Sequence, residues 1–305
     1  MKTSNMKKNL NARAFLTAWP GIFNRVFIWF GLLCMLFLLT AMQAKAQYTA
    51  VRCASTDNTF GNVTYIDSYF TNNNPDVVLI VTHYWNPGVY NNHNVGVWYD
   101  RWRGQWAVFN QDRSPMPLNA CFAVAEYFPA HGRALTHIAN SSNTSGHITY
   151  IDSTLTNGLS GKKLFVTSKY NPNNRYNDHP IGVWYDDWRG QWAIFNQDRG
   201  TMVDGTAFNV VVEEEVPSWV YTHIATQANT FLTYTVLDSL PGGPIVITAN
   251  FNPNGVYCNF VPGVSLNGSN YSIFNENAAG PGPILLDRAR IPIGAAFNVL
   301  VAPPG

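Results

Sequence analysis

Six positions recur twice at one spacing and carry the side chains with chemistry to offer. They are His93, Trp98, Asp100, Trp102, Arg103 and Asp112, then His179, Trp184, Asp186, Trp188, Arg189 and Asp198, an offset of 86 residues. Indole rings beside carboxylate, guanidinium and imidazole suit a sugar, whose C–H face packs on an aromatic ring while its hydroxyls take the polar groups. The same residue types also anchor protein contacts. Taken singly, each has a plainer reading: Arg103 and Asp112 as an exposed ion pair across a hairpin, worth at most about 1 kcal/mol, and His93 as a turn cap. An enzymatic alternative pairs Asp100 with Asp112, or Asp186 with Asp198, as the two carboxylates of a glycosidase. It ranks last, since a small repeated hairpin offers no evident cleft and Gly-x-Ser-x-Gly, His-Glu-x-x-His and phosphate-loop motifs are missing. Calcium on Asp100, Asp112 and Asn110 has oxygen ligands in its favour but no spaced Asp-x-Asp-x-Asp loop, so neither metal nor cofactor is expected. His137 and His223, standing where Arg52 occurs earlier, read as polar edge positions.

These residues must be held by a hairpin. Gly96 to Asp100 runs into a turn and returns as Trp106 to Asp112; the same phrase recurs as Gly182 to Asp186 and Trp192 to Asp198, with a worn third copy from Gly263 to Asn275. A fixed period of this kind means tandem repeats. The boundaries fall at 47–128, 129–215 and 216–305, around a repeat unit of about 80–86 residues. Each repeat shows short β-branched and aromatic runs broken by Gly, Pro, Asn and Asp clusters, which predicts an all-β chain. Six strands per repeat suffice for a small sandwich or barrel with its own core. The alternatives are one pseudo-threefold assembly in which each repeat supplies a sheet, and a six-bladed propeller, which fits poorly because blades use four strands. The short connectors around Pro129 and Pro217 imply repeats held close together.

Three copies in one chain separate framework from decoration. Val97/Val183/Val264 and Tyr99/Tyr185/Leu266 stay apolar while Trp98/Trp184/Ser265 does not, so period-two geometry puts the tryptophan on the outer face. Trp106/Trp192/Tyr271 and Phe109/Phe195/Phe274 read as core. Gly96/Gly182/Gly263 reads as a bulge or close approach, and Asn110/Asn196/Asn275 as a structural hydrogen bond. Repeat three lacks the polar and indole residues of the first two.

Lys2, Lys7, Lys8, Arg13 and Arg25 precede the apolar run Phe27 to Leu39, followed by Ala44-Lys45-Ala46. That is the layout of a secretory signal peptide over residues 1–46, cleaved before Gln47. The apolar run is short for a membrane span, which needs about 20 residues, so no span is expected after cleavage. Six of the 19 Lys and Arg but none of the 18 Asp and Glu lie in those 46 residues, leaving 13 against 18 and a net charge of −5. An acidic chain without a basic stripe argues against nucleic acid. Three cysteines remain. Cys53 and Cys121 sit in the first and last strands of repeat one, where a disulfide would tie its ends, as suits an exported protein; Cys258 is left as an inert thiol.

The phrases His179 to Asp186, Trp192 to Asp198 and Gly294 to Val299 resemble the signature of an uncharacterised family of exported bacterial tandem-repeat β domains. The resemblance spans all three repeats, most closely the second. It implies a bacterial secreted protein and tandem architecture, and carries over no catalytic or binding residue. The combined expectation is a secreted protein, extracellular or periplasmic, that acts without catalysis by binding glycan or a cell-surface component, with an adhesin or matrix protein as the alternative.

Overall fold

The computed structural model describes residues 47–302 apart from 86–87, 130–131, 217, 238–242, 268–269 and 280–289; the expected signal peptide lies outside the described residues. Repeat one supplies β1 (Gln47–Cys53), β2 (Thr59–Phe60), β3 (Val63–Ile66), β4 (Val78–Tyr84), β5 (Val95–Asp100), β6 (Gln105–Asn110) and β7 (Cys121–Tyr127). Repeat two follows with β8 (Ala134–Ile138), β9 (Thr144–Ser145), β10 (Ile148–Tyr150), β11 (Lys163–Lys169), β12 (Ile181–Asp186), β13 (Gln191–Asn196) and β14 (Ala207–Glu213). Repeat three has β15 (Val220–Ile224), β16 (Thr230–Phe231), β17 (Tyr234–Val236), β18 (Ile245–Asn250), β19 (Pro262–Asn267), β20 (Asn270–Asn275) and β21 (Ala296–Val301). Each repeat thus has seven strands where the sequence suggested six. The extra one is the two-residue β2, β9 or β16, too short to show any alternation.

Strand alternation builds a two-layer sandwich in each repeat. In the first, Leu79, Val81 and Phe122 from one layer meet Val97, Trp106 and Val108 from the other. Equivalent cores surround Phe208 with Trp192 and Phe297 with Tyr271. Phe122, Phe208 and Phe297 are fully buried, each stabilising its core by roughly 1.5–3 kcal/mol. The layers do not stop at the repeat boundary. The three seven-stranded sheets run β1-β7-β4-β19-β20-β17-β16, β15-β21-β18-β12-β13-β10-β9 and β2-β3-β6-β5-β11-β14-β8. Every sheet therefore joins three strands of one repeat to four of another, through the parallel pairs β4–β19, β11–β5 and β18–β12. None closes into a barrel, and the alternative in which each repeat supplies a whole sheet is replaced by one in which every sheet is shared.

The sharing closes a ring. Val78, Ile80, Phe165, Val211, Val246 and Leu300 form a fourth core where all three repeats meet, so β4, β11 and β18 are buried on both faces. That explains their unbroken apolar runs. The parallel pairing is brief; β19 meets β4 only at His83 and Tyr84. Beyond it, threonines satisfy backbone donors that pairing leaves over. Thr167 Oγ1 accepts from the Val81 N–H, Thr248 Oγ1 from Val166 and Thr82 Oγ1 from Ile247, at 2.9, 3.0 and 2.9 Å. Each repeat thereby binds the next in a cycle. At the first two junctions the Asn171 and Asn252 side chains also accept from the Tyr99 and Tyr185 N–H groups, both at 2.8 Å.

Cys53 and Cys121, directly opposed in β1 and β7, are joined by a disulfide. Cys258 is free and buried, and burial pushes its thiol up to about 12, so it carries no reactive thiolate.

Candidate functional site

The tip of the β5–β6 hairpin is built by Asp100. Its Oδ1 accepts from the Trp102 and Arg103 N–H groups at 2.9 and 3.3 Å, an Asx-type cap on the turn, and Gly104 closes the turn at φ 66°. The carboxylate is buried, and its Oδ2 accepts from the Tyr65 hydroxyl at 3.0 Å. Burial raises the Tyr65 pKa, and the hydrogen bond to Asp100 raises it further, so the phenol stays a donor. The Arg103 guanidinium lies over Tyr65 at 4.5 Å and Phe60 at 4.8 Å, with its Nε 3.8 Å from Asp100. Half-buried Trp98 also meets Tyr65, with ring centroids 6.3 Å apart. Trp102 itself stands 99% exposed.

Repeat two builds the same tip. Asp186 accepts from Trp188 and Arg189 at 3.0 and 3.2 Å, Arg189 lies 4.3 Å over Tyr150, and Tyr150 meets Trp184 at 6.4 Å. Trp188 stands 88% exposed. The expected outer face for Trp98 and Trp184 is therefore the observed one, while Arg103 pairs with Asp100 and not with Asp112. Sequence reading missed Tyr65 and Tyr150. The signal was present, because each precedes an Ile-Asp pair and both are absent from repeat three, where Val236 stands.

His93 and Asp112 meet at the other end of the hairpin. Nδ1 of His93 lies 2.7 Å from Asp112 Oδ2, and His179 lies 2.6 Å from Asp198. Asp112 also accepts from the Ser114 N–H and hydroxyl. Partial burial pushes its pKa up, but the Ser114 bonds and His93 outweigh that and hold it below the ordinary aspartate value. Asp100 pairs across the hairpin with Gln105, whereas Asp112 follows Asn110, the partner of Val95. Five residues of strand at about 3.4 Å each put the two carboxylates roughly 17 Å apart. A glycosidase pair needs about 5–9.5 Å, so neither this pair nor Asp186 with Asp198 has that geometry. The oxygens considered for calcium do not converge either, and the Asn110 amide is occupied by Asn91 and Ser114. Its reading as a structural hydrogen bond stands. The twelve residues thus form two indole tips and two His–Asp pairs at separate places.

Several positions behave differently from their sequence reading. Trp106 is core, but Phe109 lies on the outer face, buried under Tyr170 and Tyr176 of repeat two at 5.8 and 5.6 Å. Gly96 sits opposite it because an added Cβ would come within 2.8 Å of that ring. His137 and His223 do lie on edge strands, β8 and β15, but their rings are buried beside Thr149 and Thr235 at 2.7 and 2.8 Å. Burial lowers His137 to about 4, leaving a neutral ring. Where repeat three meets repeat one, His83 and Glu276 are buried 3.7 Å apart. Burial lowers His83 to about 3 and raises Glu276 to about 8; both are neutral near pH 7, a polar contact and no ion pair. An axial pocket beside His83, Asn94 and His179 has a volume of about 70 Å³, room for a few waters and too small for a sugar.

Among known proteins, the chain matches the family described as Domain of unknown function (DUF7452) three times, over residues 35–126, 103–212 and 182–281. The chain belongs to this family. The overlapping matches follow the tandem repeat. No curated protein and no solved structure matches the chain.

Proposed function

We propose that the mature chain is an exported, non-catalytic binding protein that recognises carbohydrate through its twin hairpin tips. The observation that carries this reading is the state of Trp102 and Trp188: two large apolar rings, 99% and 88% exposed, on turns locked from below. A tip held by an aspartate cap and a stacked arginine loses little conformational freedom on binding, so an exposed ring there is pre-organised. The half-exposed Arg103 and Arg189 guanidinium groups supply hydrogen bonds to sugar hydroxyls, and two tips on one framework add avidity to weak single sites.

The test is a glycan array and polysaccharide pull-down with residues 47–305. Wild type should retain glycan, Trp102→Ala or Trp188→Ala alone should weaken it, and the double variant should lose it by 100-fold or more, on the order expected for lost avidity. Undiminished retention by the double variant defeats the reading. Silence of wild type on every glycan moves the two indoles to a protein contact, the adhesin alternative.

A further inference from the structure

The three junctions between repeats share one plan, and one of them is open. On the outer face of the first, Tyr65 pairs with Ala107 and Ala107 with Trp98; on the second, Tyr150, Ala193 and Trp184 form the same row. At the third the row is Val236, Ser272 and Ser265. Both large rings are gone. In the neighbouring row, Phe109 is covered by Tyr170 and Tyr176, with Arg113 4.5 Å over Tyr176. Phe195 is covered by Phe251 and Tyr257, with Arg199 4.5 Å over Tyr257. The third junction keeps the aromatics, Phe274 meeting Tyr90 at 6.2 Å and Tyr90 meeting Trp85 at 6.3 Å. Ala278 stands where the arginine lid would be. What remains is a groove of about 520 Å³, within the roughly 300–1,000 Å³ of small-molecule sites.

Its chemistry is specific. Trp85, Tyr90, Tyr234 and Phe274 give ring surface, while Thr233, Ser265, Ser272 and Asn270 give hydroxyl and amide groups. Among the described residues no charged side chain lines it, and the Trp85 indole N–H, shielded from water, has no acceptor there. A charged ligand would find no counter-ion, and an aliphatic one would strand the hydroxyls without partners. We infer that this groove binds an uncharged pyranose unit, its C–H face on the aromatic wall and its hydroxyls toward the serine row. The site draws residues from repeats one and three and uses none of the Trp102 or Trp188 tip residues. It stands or falls independently of the tips.

The experiment is saturation-transfer NMR on residues 47–305 with methyl glucoside, methyl galactoside and cellobiose, and with glucuronate as the charged control. At least one neutral sugar should show transfer, glucuronate should show little. Ser265→Trp, which installs the side chain found at 98 and 184, should abolish transfer. Tyr90→Ala, at an exposed position that leaves the core intact, should weaken binding ten-fold or more. The Trp102→Ala, Trp188→Ala double variant should bind as wild type does. No transfer from any neutral sugar, equal transfer from glucuronate, or unchanged binding in Ser265→Trp and Tyr90→Ala each overturns the groove. Transfer lost only in the tip double variant overturns it too and leaves the tip reading standing.

Discussion

At two junctions the neighbouring repeats are clamped by glutamine: Gln111 Oε1 accepts the Asn177 N–H, and Gln197 Oε1 accepts the Cys258 N–H. At the third, Glu276 takes the same place and accepts from the Asn91 N–H. Its burial-raised pKa of about 8 keeps it protonated near neutrality, so it imitates the amide it replaces. The β4 residue facing Gly263 there is His83, where Ser168 and Ala249 face Gly96 and Gly182. Repeat three has therefore changed its outer row freely, losing both rings and the arginine lid, while its buried clamp keeps the same hydrogen bond by other means. Position in the shared sheet decides how far a repeat can drift: the outer face tolerates loss, the junction demands an equivalent.

Three experiments press on that contrast. The largest effect belongs to the core ring that anchors the preceding turn. Trp106 and Trp192 donate from Nε1 to the Asn74 and Leu159 carbonyls, and Tyr271 donates its hydroxyl to Gly243. Trp192→Ala should cost about 3–5 kcal/mol in urea unfolding. Trp192→Tyr should lose distinctly less, as repeat three already uses tyrosine; equal losses would show that the repeats are not interchangeable at that point.

Next comes the clamp. Because the folded-state pKa of Glu276 lies above its unfolded value of about 4.5, its contribution is fully present below that pH and is lost as pH rises through about 8. Glu276→Gln should therefore raise stability at pH 9 relative to wild type by on the order of 2 kcal/mol, with little change at pH 5. His83 acts in the opposite direction, its stabilising neutrality being lost as pH falls from about 6.5 towards about 3. Matching urea midpoints for both proteins at pH 9 would refute a protonated clamp. The smallest effect is at the lid. Arg113→Ala should cost no more than about 1 kcal/mol, as for an exposed cation–π contact, yet leave Tyr176 more open to a photo-CIDNP dye. If Tyr176 stays shielded, the arginine is not what closes the first junction.

Much of the architecture was legible because its signals are local. Alternation put Val97 and Tyr99 inward and Trp98 outward, and the recurring Gly96 marked the close approach of Phe109. Strand partnership was not, since period-two patterning says which face is buried but not which strand lies alongside. One clue went unused: Val77 to Val81 is apolar at every position, the mark of a strand covered on both sides. The candidate site was half legible. Its residues recur together in the chain, but the hairpin register sends His93 and Asp112 to one end and Trp102 and Arg103 to the other. The groove was hidden by its own signature, for missing rings read as decay until the space they vacate is seen.

The shared sheets carry a last consequence for how the molecule is made. Since β4 of the first repeat finds its neighbour β19 only in the third, a nascent chain must leave that backbone edge uncovered until nearly all of it has been synthesised. Cutting after residue 215 would strand the same edge for good, along with that of β12, whose partner is β18, and bare strand edges invite pairing between molecules. Removing one repeat should thus yield aggregates, not a smaller working protein.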